Sequence, residues 1–241
     1  MDTFSFSRLS LYEVCPYRFY KKYVDGYEEP ITYPLALGKG VHKAIEDKIN
    51  GKSHEEAIAN GLVEAEFHPE VTKDELSLLV HNAPIYEING ETEVHFNIPL
   101  SDEENAPKLQ GYIDIVGKDF IVDWKTNREM YHVRDNHQLG LYAWAMSRLK
   151  KMKEVHARLY FLRFRRESSF IFGTDEMEEA RKWAYGLAKE IRGKLEMVKV
   201  MPELKDELFP ATPLSHCSYC PFAIECYRQF SPIAKINGRG M

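Results

Sequence analysis

Alternation of apolar and polar residues is clearest in the middle of the chain, where it predicts three strands. Between Val94 and Leu100 every second residue is apolar, which is typical of a half-buried strand. The segment 109–126, LQGYIDIVGKDFIVDWKT, predicts two further strands joined by a tight turn at Gly117–Lys118. Because no helical pattern separates these strands, the sequence predicts an antiparallel meander.

Apolar residues repeating about every 3.6 positions predict helices on both sides of these strands. The predicted helices are one that follows Gly38 and Gly40, one or two within residues 53–88, one that contains Gln138 and Tyr142, and a long one from about Asp175 to Val200. Between the last two, the segments ARLYFLRF and RRESSFIF predict a pair of strands that fold back on each other. The stretch from 53 to 92 carries no motif that we assign.

The composition matters mainly for what it excludes. With 241 residues, of which 44% are apolar, the chain can form one large domain or a domain with a small appendage. We find no apolar run long enough to span a membrane and no secretory signal, so we expect a protein of the reducing cytoplasm without membrane association. The net charge of −5 disfavours general nucleic-acid binding but allows a locally basic groove.

Charged residues interrupt the two apolar strands of the hairpin at three positions. Asp123 and Lys125 share one face of the second strand, and Asp114 lies on the first. Such charges are costly to bury unless they are paired or bind a metal, and two carboxylates suit Mg²⁺ or Mn²⁺. A lysine beside them can hold an attacking water or stabilise a developing negative charge. The competing interpretation is an ordinary hairpin with a surface ion pair.

Residues outside the hairpin are candidates to join this site. His42 is a metal ligand if its helix packs across the carboxylates, and otherwise a residue at the edge of the core. Glu93 could approach the site from the neighbouring strand. Gln138 and Tyr142 share one helical face, where the glutamine makes either a buried structural hydrogen bond or a contact with a DNA backbone.

The strongest local charge lies between Arg148 and Arg166, where eight lysines and arginines accompany one acid. Aromatic residues stand between the basic ones, an arrangement that suits single-stranded nucleic acid. Arg163, Arg165 and Arg166 are therefore candidate DNA contacts. A solvated charge run at the end of a helix is the alternative.

Three of the four cysteines form a C-x₂-C-x₅-C pattern at Cys217, Cys220 and Cys226. Thiolates at such spacing hold zinc or an iron–sulfur cluster, and both need a fourth ligand. His216 would complete the site locally, whereas Cys15 would bring the two ends of the chain together. We favour Cys15 because it is the one remaining cysteine and begins a Cys-Pro dipeptide at the start of a predicted helix. Spacing alone does not decide between zinc and an iron–sulfur cluster.

In chain order these motifs resemble the RecB-type branch of the PD-(D/E)XK nuclease superfamily, in particular the CRISPR-associated RecB-like exonucleases and the nuclease domain of AddB-type helicase subunits. The resemblance covers almost the whole chain, although helicase motifs are missing. The motifs that carry it are Cys-Pro at Cys15, G-x₃-H from Gly38 to His42, G-x-x-D from Gly111 to Asp114, D-x-K from Asp123 to Lys125, Q-x₃-Y from Gln138 to Tyr142, and the cysteine tail.

The resemblance implies an α/β fold with a PD-(D/E)XK restriction-endonuclease-like core. In it, a mixed central sheet is flanked by helices, and an iron–sulfur cluster staples a helical part formed by the N- and C-termini. We therefore expect a single RecB-like nuclease domain over residues 1–241. Its expected parts are an N-terminal helical segment at 1–35, a nuclease core at 36–200 and a cysteine-cluster segment at 201–241.

The resemblance also assigns roles to the candidate residues. His42, Asp114 and Asp123 would bind Mg²⁺ or Mn²⁺ with help from the Trp124 carbonyl. Lys125 would be catalytic together with the two aspartates. The remaining roles are contact with the DNA backbone for Gln138 and Tyr142, and ligation of a [4Fe–4S] cluster for Cys15, Cys217, Cys220 and Cys226, with zinc as the alternative.

The activity implied is metal-dependent hydrolysis of DNA, with single-stranded ends as the substrate of an exonuclease. Protein partners would come from a recombination, replication or CRISPR complex. The alternative is a DNA-binding or scaffold subunit that has a structural metal cluster and does not cleave. The carboxylates, the lysine and the glutamine are all present, which argues against that alternative.

Overall fold

The computed structural model describes residues 1–230, so residues 231–241 of the predicted cysteine-cluster segment lie outside the described part. The chain divides into two compact units. The first contains Met1–Pro30 and the described residues from Gly186 onward, and the second contains Ile31–Tyr185. Among residues 1–230, no helix has the length and apolar character that crossing a membrane requires.

The helices and strands are as follows. The helices are α1 (Phe6–Val14), α2 (Pro16–Tyr23), α3 (Tyr33–Ile49), α4 (His54–Glu64), α5 (Lys73–His81), α6 (Gln138–Lys150), α7 (Thr174–Val200), α8 (Lys205–Leu208) and α9 (Ala223–Phe230). The strands are β1 (Thr3–Phe4), β2 (Glu91–Pro99), β3 (Lys108–Val116), β4 (Phe120–Lys125), β5 (Val155–Phe161) and β6 (Arg166–Phe172). Short 3₁₀ turns occur at Ile85–Glu87, Pro202–Leu204 and Ser215–Tyr219.

Five strands of the second unit form a mixed sheet in the order β2-β3-β4-β5-β6. The β2–β3, β3–β4 and β5–β6 pairs are antiparallel, whereas β4 and β5 are parallel. The parallel pair is connected through α6, while β2, β3 and β4 follow one another as the predicted meander. The predicted α/β fold, a mixed central sheet flanked by helices, is confirmed.

Helices α3, α4 and α5 form a core with the central strands. Val41 and Ile45 of α3 share this core with Ile115, Val122 and Trp124. The segment that carried no motif in the sequence therefore contributes two helices, α4 and α5, to the apolar layer on the sheet. This layer holds α3, and with it His42, against the strands that carry the candidate carboxylates.

The predicted start of α3 is wrong. The helix begins at Tyr33, with Pro34 in its first turn, so that Gly38 and Gly40 lie inside it. Glycine usually weakens a helix, which is why the sequence suggested a later start. Packing explains Gly40, because a Cβ there would lie 2.6 Å from the carbonyl oxygen of Gly61 on α4.

The first unit joins the two ends of the chain around a cluster of aromatic side chains. Buried Phe209 packs against Tyr12, Phe19 and Tyr20, with ring centroids between 4.8 and 6.4 Å apart. Cys15, at the junction of α1 and α2, is likewise buried in a small apolar cluster with C-terminal residues. As predicted, Pro16 begins a helix, α2.

Candidate active site

The candidate carboxylates lie where β3 and β4 separate. The antiparallel ladder ends at Ile115 and Val122, just before Asp114 and Asp123 would face each other. Instead, the backbone N–H of Trp124 donates a 2.7 Å hydrogen bond to Oδ2 of Asp114. The Asp114 side chain thus takes the place of a backbone acceptor, and the opening between the strands leads into a cleft of about 580 Å³.

His42 joins the two strands from α3. Its Nδ1 lies 2.9 Å from Oδ1 of Asp114, and its Nε2 lies 2.8 Å from the carbonyl oxygen of Trp124. Both partners are acceptors, so both ring nitrogens donate only when the ring is protonated. Burial lowers the pKa of His42, but the charge of Asp114 and the hydrogen bond to it outweigh burial and raise that pKa to about 9.

Asp123 and Lys125 form an ion pair on the floor of the same cleft. Nζ of Lys125 lies 2.6 Å from Oδ2 of Asp123, and both side chains are largely buried. Burial lowers the pKa of Lys125, but the charge of Asp123 more than compensates and raises that pKa. Burial also raises the pKa of Asp123 against the opposing charge of Lys125. The lysine therefore stays protonated and acts as a fixed positive charge.

Gln138, at the start of α6, links this ion pair to the helix. Its Oε1 accepts a 3.0 Å hydrogen bond from Lys125, and its Nε2 donates to Oδ1 of Asp123 at 3.1 Å. The same Nε2 lies 3.2 Å from the hydroxyl of Tyr142. The Q-x₃-Y pair therefore lies within the cleft, where it holds the aspartate and the lysine in place.

Glu93 lies beside these residues on β2. The sequence suggested that it could approach the site but assigned it no role. It has a left-handed backbone with φ of +48°, and its neighbours Thr92 and Val94 pair with β3 while it does not. Its carboxylate and ligand atoms of His42 and Asp114 all lie within 4.8 Å of one another. Burial, followed by the charge of Asp114, raises the pKa of Glu93 to about 7.

The strand register explains how Glu93 reaches the site. In the β2–β3 ladder, Thr92 pairs with Ile115 and Val94 with Ile113, so Glu93 stands opposite Asp114. The sequence predicts the two strands but not the register between them. Knowledge of the register would have identified Glu93 as a residue of the site.

Gly111 of the G-x-x-D motif is required by packing inside the unit. A Cβ at this position would lie 2.8 Å from the ring of Phe96 and 3.2 Å from the ring of Tyr142. Those two rings contact each other edge to face at 5.7 Å. The glycine therefore lets Tyr142 of α6 lie close against β3, next to Asp114.

The three arginines of the basic run lie in different surroundings. Arg163 donates to Glu75 and to the carbonyl of Thr126, each at 2.8 Å, so its charge is already paired. Arg165 is exposed and donates to Asn82 at 2.7 Å. Arg166 is exposed at the start of β6. None of the three is among the residues that line the cleft.

The four cysteines lie together in the first unit. All are free thiols, and Cys15, Cys217, Cys220 and Cys226 line one cavity of about 440 Å³. Burial raises the pKa of the Cys220 and Cys226 thiols. His216 also lines the cavity, and its buried Nε2 has no hydrogen-bond partner in the part of the chain that the structure describes.

A half-buried histidine, carboxylates and a lysine in one cleft define a site of the kind that binds a divalent cation beside a phosphate. The sequence profile described as "PD-(D/E)XK nuclease superfamily" matches residues 3–227, so the chain belongs to this superfamily. Its members are metal-dependent nucleases that use ions such as Mg²⁺ or Mn²⁺. Membership in a nuclease superfamily implies DNA as the substrate.

Similarity to individual proteins is distant. No curated protein matches the chain significantly. Among solved structures, the "Crystal structure of SSO0001" is similar to 93% of this chain and 85% of that chain, with 15% sequence identity and a TM-score of 0.41. This likeness is too weak to transfer any property to the chain.

Proposed function

We propose that the chain is a RecB-type deoxyribonuclease that hydrolyses phosphodiester bonds at single-stranded DNA ends, acting as an exonuclease. The observation that carries this proposal is the convergence of His42, Asp114, Asp123 and Lys125 on one cleft. Membership in the superfamily supports the reaction. The single-stranded substrate and the exonuclease mode rest on the resemblance of the ordered motifs.

His42, Asp114 and Asp123 would hold Mg²⁺ or Mn²⁺ with the Trp124 carbonyl. The donor set fits, because carboxylate and carbonyl oxygens are the preferred ligands of these ions and neutral imidazole is a common metal ligand in proteins. We add Glu93, whose carboxylate lies within 4.8 Å of ligand atoms on His42 and Asp114. When bound, the ion would polarise the scissile phosphate and lower the pKa of a bound water.

The residues of the chain have separate tasks around that ion. One ring nitrogen of His42 must lose its proton, and with it the hydrogen bond to Asp114 or to the Trp124 carbonyl, before that nitrogen can act as a ligand. Lys125 remains positively charged, so it orients the attacking water or offsets negative charge that develops on the phosphate. Gln138 positions Lys125 through the 3.0 Å hydrogen bond that it accepts, and Tyr142 supports Gln138 near the DNA backbone.

For the cysteine cavity we propose a [4Fe–4S] cluster held by Cys15, Cys217, Cys220 and Cys226. A single zinc ion binds thiolates at about 2.3 Å and brings their sulfur atoms within about 4 Å of one another. A [4Fe–4S] cluster is larger than a single ion and is held by four cysteines, and these four cysteines line one cavity of about 440 Å³.

The exposed Arg165 and Arg166 would contact phosphates of the incoming strand, with Arg163 holding their hairpin to Glu75. The division into segments 1–35, 36–200 and 201–241 remains part of the proposal. Partners from recombination, replication or CRISPR complexes would deliver the DNA end.

End-labelled oligonucleotides test the function. With Mn²⁺ or Mg²⁺, a single strand labelled at one end should be shortened one nucleotide at a time, while a circular single strand stays intact. Cleavage of the circular strand would show that the protein is an endonuclease and not an exonuclease. Binding without cleavage of any DNA would favour the alternative scaffold role, with the Lys125→Ala variant as the matched inactive control.

A further inference from the structure

We propose that Tyr112 provides a stacking surface for a DNA base at the entrance of the cleft, and so selects an unpaired nucleotide next to the scissile phosphate. The inference rests on the proposed nuclease function and adds a residue that determines its substrate. Tyr112 occupies one of the two variable positions in the G-x-x-D motif from Gly111 to Asp114.

The strand places Tyr112 at the same cleft as the candidate metal ligands. It lies two residues before Asp114 on β3, and alternate residues of a strand point to the same face. Both residues line the cleft, together with His42 and Lys125. A base that contacts Tyr112 would therefore belong to a nucleotide close to the phosphate at Asp114.

The ring of Tyr112 is unusually accessible for an aromatic residue beside a buried site. It is 59% exposed, although Asp114 on the same strand is only 8% exposed. Tyr112 pairs with His95 across the β2–β3 ladder, and the two ring centroids are 4.7 Å apart. His95 thus supports the ring from one side and leaves much of its surface in contact with solvent.

The rest of the cleft wall offers little unpaired positive charge for a double helix. Lys39 forms an ion pair with Glu66 at 3.2 Å, and Lys43 forms ion pairs with Glu46 and Asp47 at 2.8 and 3.0 Å. Binding to duplex DNA depends largely on lysines and arginines that contact its phosphates.

An apolar side chain completes the wall. Leu35, which is 52% exposed, lines the cleft together with Tyr112. An aromatic ring and an aliphatic side chain at one cleft suit the flat face of a base. A base inside a duplex is already stacked, so an unpaired nucleotide reaches this surface at lower cost.

The competing role for Tyr112 is structural, as a cross-strand partner of His95 that stabilises the hairpin. The two roles differ in what they predict for DNA. If the role is structural, Tyr112 variants change the thermal stability of the protein, and their effect on kcat/KM does not depend on any single base of the substrate. If Tyr112 stacks on a base, the effect on kcat/KM depends on the base at one position.

The test combines Tyr112 variants with oligonucleotides that lack one base. A single strand is made with an abasic site at each position in turn, and kcat/KM is measured for the wild-type protein, Tyr112→Ala and Tyr112→Phe. We expect Tyr112→Ala to lower kcat/KM on intact DNA about tenfold, mainly through KM, and Tyr112→Phe to retain it. An abasic site at one position should lower kcat/KM of the wild-type protein as much as Tyr112→Ala does. The same abasic site should cause no further loss of kcat/KM in Tyr112→Ala.

Tyr86→Ala is the matched control, because Tyr86 is 93% exposed and does not line the cleft. Equal losses for Tyr86→Ala and Tyr112→Ala, or an abasic penalty that persists in Tyr112→Ala, would overturn the inference. Fluorescence quenching of 2-aminopurine at the same position, measured with a chelator, reports stacking without cleavage. If the wild-type protein cleaves no DNA, the proposed function fails, whereas quenching that is lost in Tyr112→Ala still supports the stacking surface.

Discussion

Lys125 and Asp123 form an ion pair inside the protein, with Nζ of the lysine 2.6 Å from Oδ2 of the aspartate. They are two residues apart on one face of β4, and Gln138 contacts both. Each charge is therefore stabilised mainly by the other. Because this arrangement is costly to bury, its presence in an apolar hairpin indicates a requirement beyond folding.

Removal of Lys125 tests that requirement. In Lys125→Met, Asp123 is left buried without its counter-charge, so we expect the free energy of unfolding to fall by about 3 kcal/mol. The double variant Lys125→Met/Asp123→Leu removes both charges and should recover most of the stability. Urea unfolding measures the stability, and DNA cleavage should be lost in both variants. A single variant as stable as the wild-type protein would contradict the buried ion pair, and retained cleavage would contradict its catalytic role.

The stability of the metal-free protein should depend on pH through His42 and Glu93. In the folded state the pKa of His42 rises from 6.5 to about 9, and that of Glu93 from 4.5 to about 7. The folded state therefore binds these protons more tightly than the unfolded chain does. The His42 contribution is complete below about pH 6.5 and is lost as the pH rises through about 9, and the Glu93 contribution is lost between about 4.5 and 7.

Unfolding measured with a chelator present should accordingly show stability that falls from about pH 5 to about pH 9. His42→Gln and Glu93→Gln should each flatten their part of this curve. Mn²⁺ should reverse the decline at alkaline pH, because its ligands are neutral histidine and ionised carboxylates. If the pH dependence of stability is the same in both variants as in the wild-type protein, His42 and Glu93 do not cause it.

Gly38 and Gly40 lie two residues apart in α3, and the structure predicts opposite effects of alanine. A Cβ on Gly38 would meet only Thr126 Oγ1 at 3.9 Å, an ordinary contact, and Gly38 itself lines the cleft. Gly38→Ala should raise stability by about 0.5–1 kcal/mol through helix propensity but lower kcat/KM for DNA about tenfold.

Gly40→Ala provides the matched comparison. Its Cβ would lie 2.6 Å from the backbone oxygen of Gly61, so stability should fall by about 1–3 kcal/mol. Thermal unfolding and steady-state kinetics separate the two effects. If Gly38→Ala cleaved DNA normally, that helical position would not border the path of the substrate.

Several of these features could be predicted from the sequence, and others could not, for physical reasons. The hairpin with Asp114 and Asp123 follows from residues that alternate with period two and from the glycine at its turn, both of which are local signals. The start of α3 was missed because Gly40 owes its place to Gly61, a contact that is distant in sequence. Glu93 was not assigned a role because it reaches Asp114 through strand register and a left-handed backbone.

The surroundings of the three arginines could not be predicted from the sequence either. A count of charges does not reveal that Arg163 is paired with Glu75, whose helix lies 88 residues earlier in the chain. For the cysteines, the sequence did indicate a distant contact: Cys15 and Cys217 are about 200 residues apart and still line one cavity. The spacing of the three C-terminal cysteines indicated a metal site, and the scarcity of cysteines in the chain pointed to Cys15 as the fourth member.

The proposed cluster predicts both colour and stability. Protein purified without oxygen should be brown and contain iron and sulfide, whereas Cys15→Ala should be pale. The proposed centre closes a loop of about 200 residues, so by the entropy of cross-linking its loss should lower stability by roughly 4–5 kcal/mol. His216→Ala is the matched control and should keep its iron. Stoichiometric zinc without iron in the anaerobic wild-type protein would contradict the cluster but not the four-ligand site.

The most direct measurement compares cleavage of a labelled single-stranded oligonucleotide by the wild-type protein and by Asp114→Asn. Both proteins are prepared alike, shown to be folded by circular dichroism, and assayed with Mn²⁺, with Mg²⁺ and with a chelator. A metal-dependent nuclease centred on this cleft predicts cleavage by the wild-type protein with either metal ion, none with the chelator, and a loss of at least about 100-fold in Asp114→Asn. Cleavage by Asp114→Asn at the wild-type rate, or cleavage by the wild-type protein in the chelator, would contradict it.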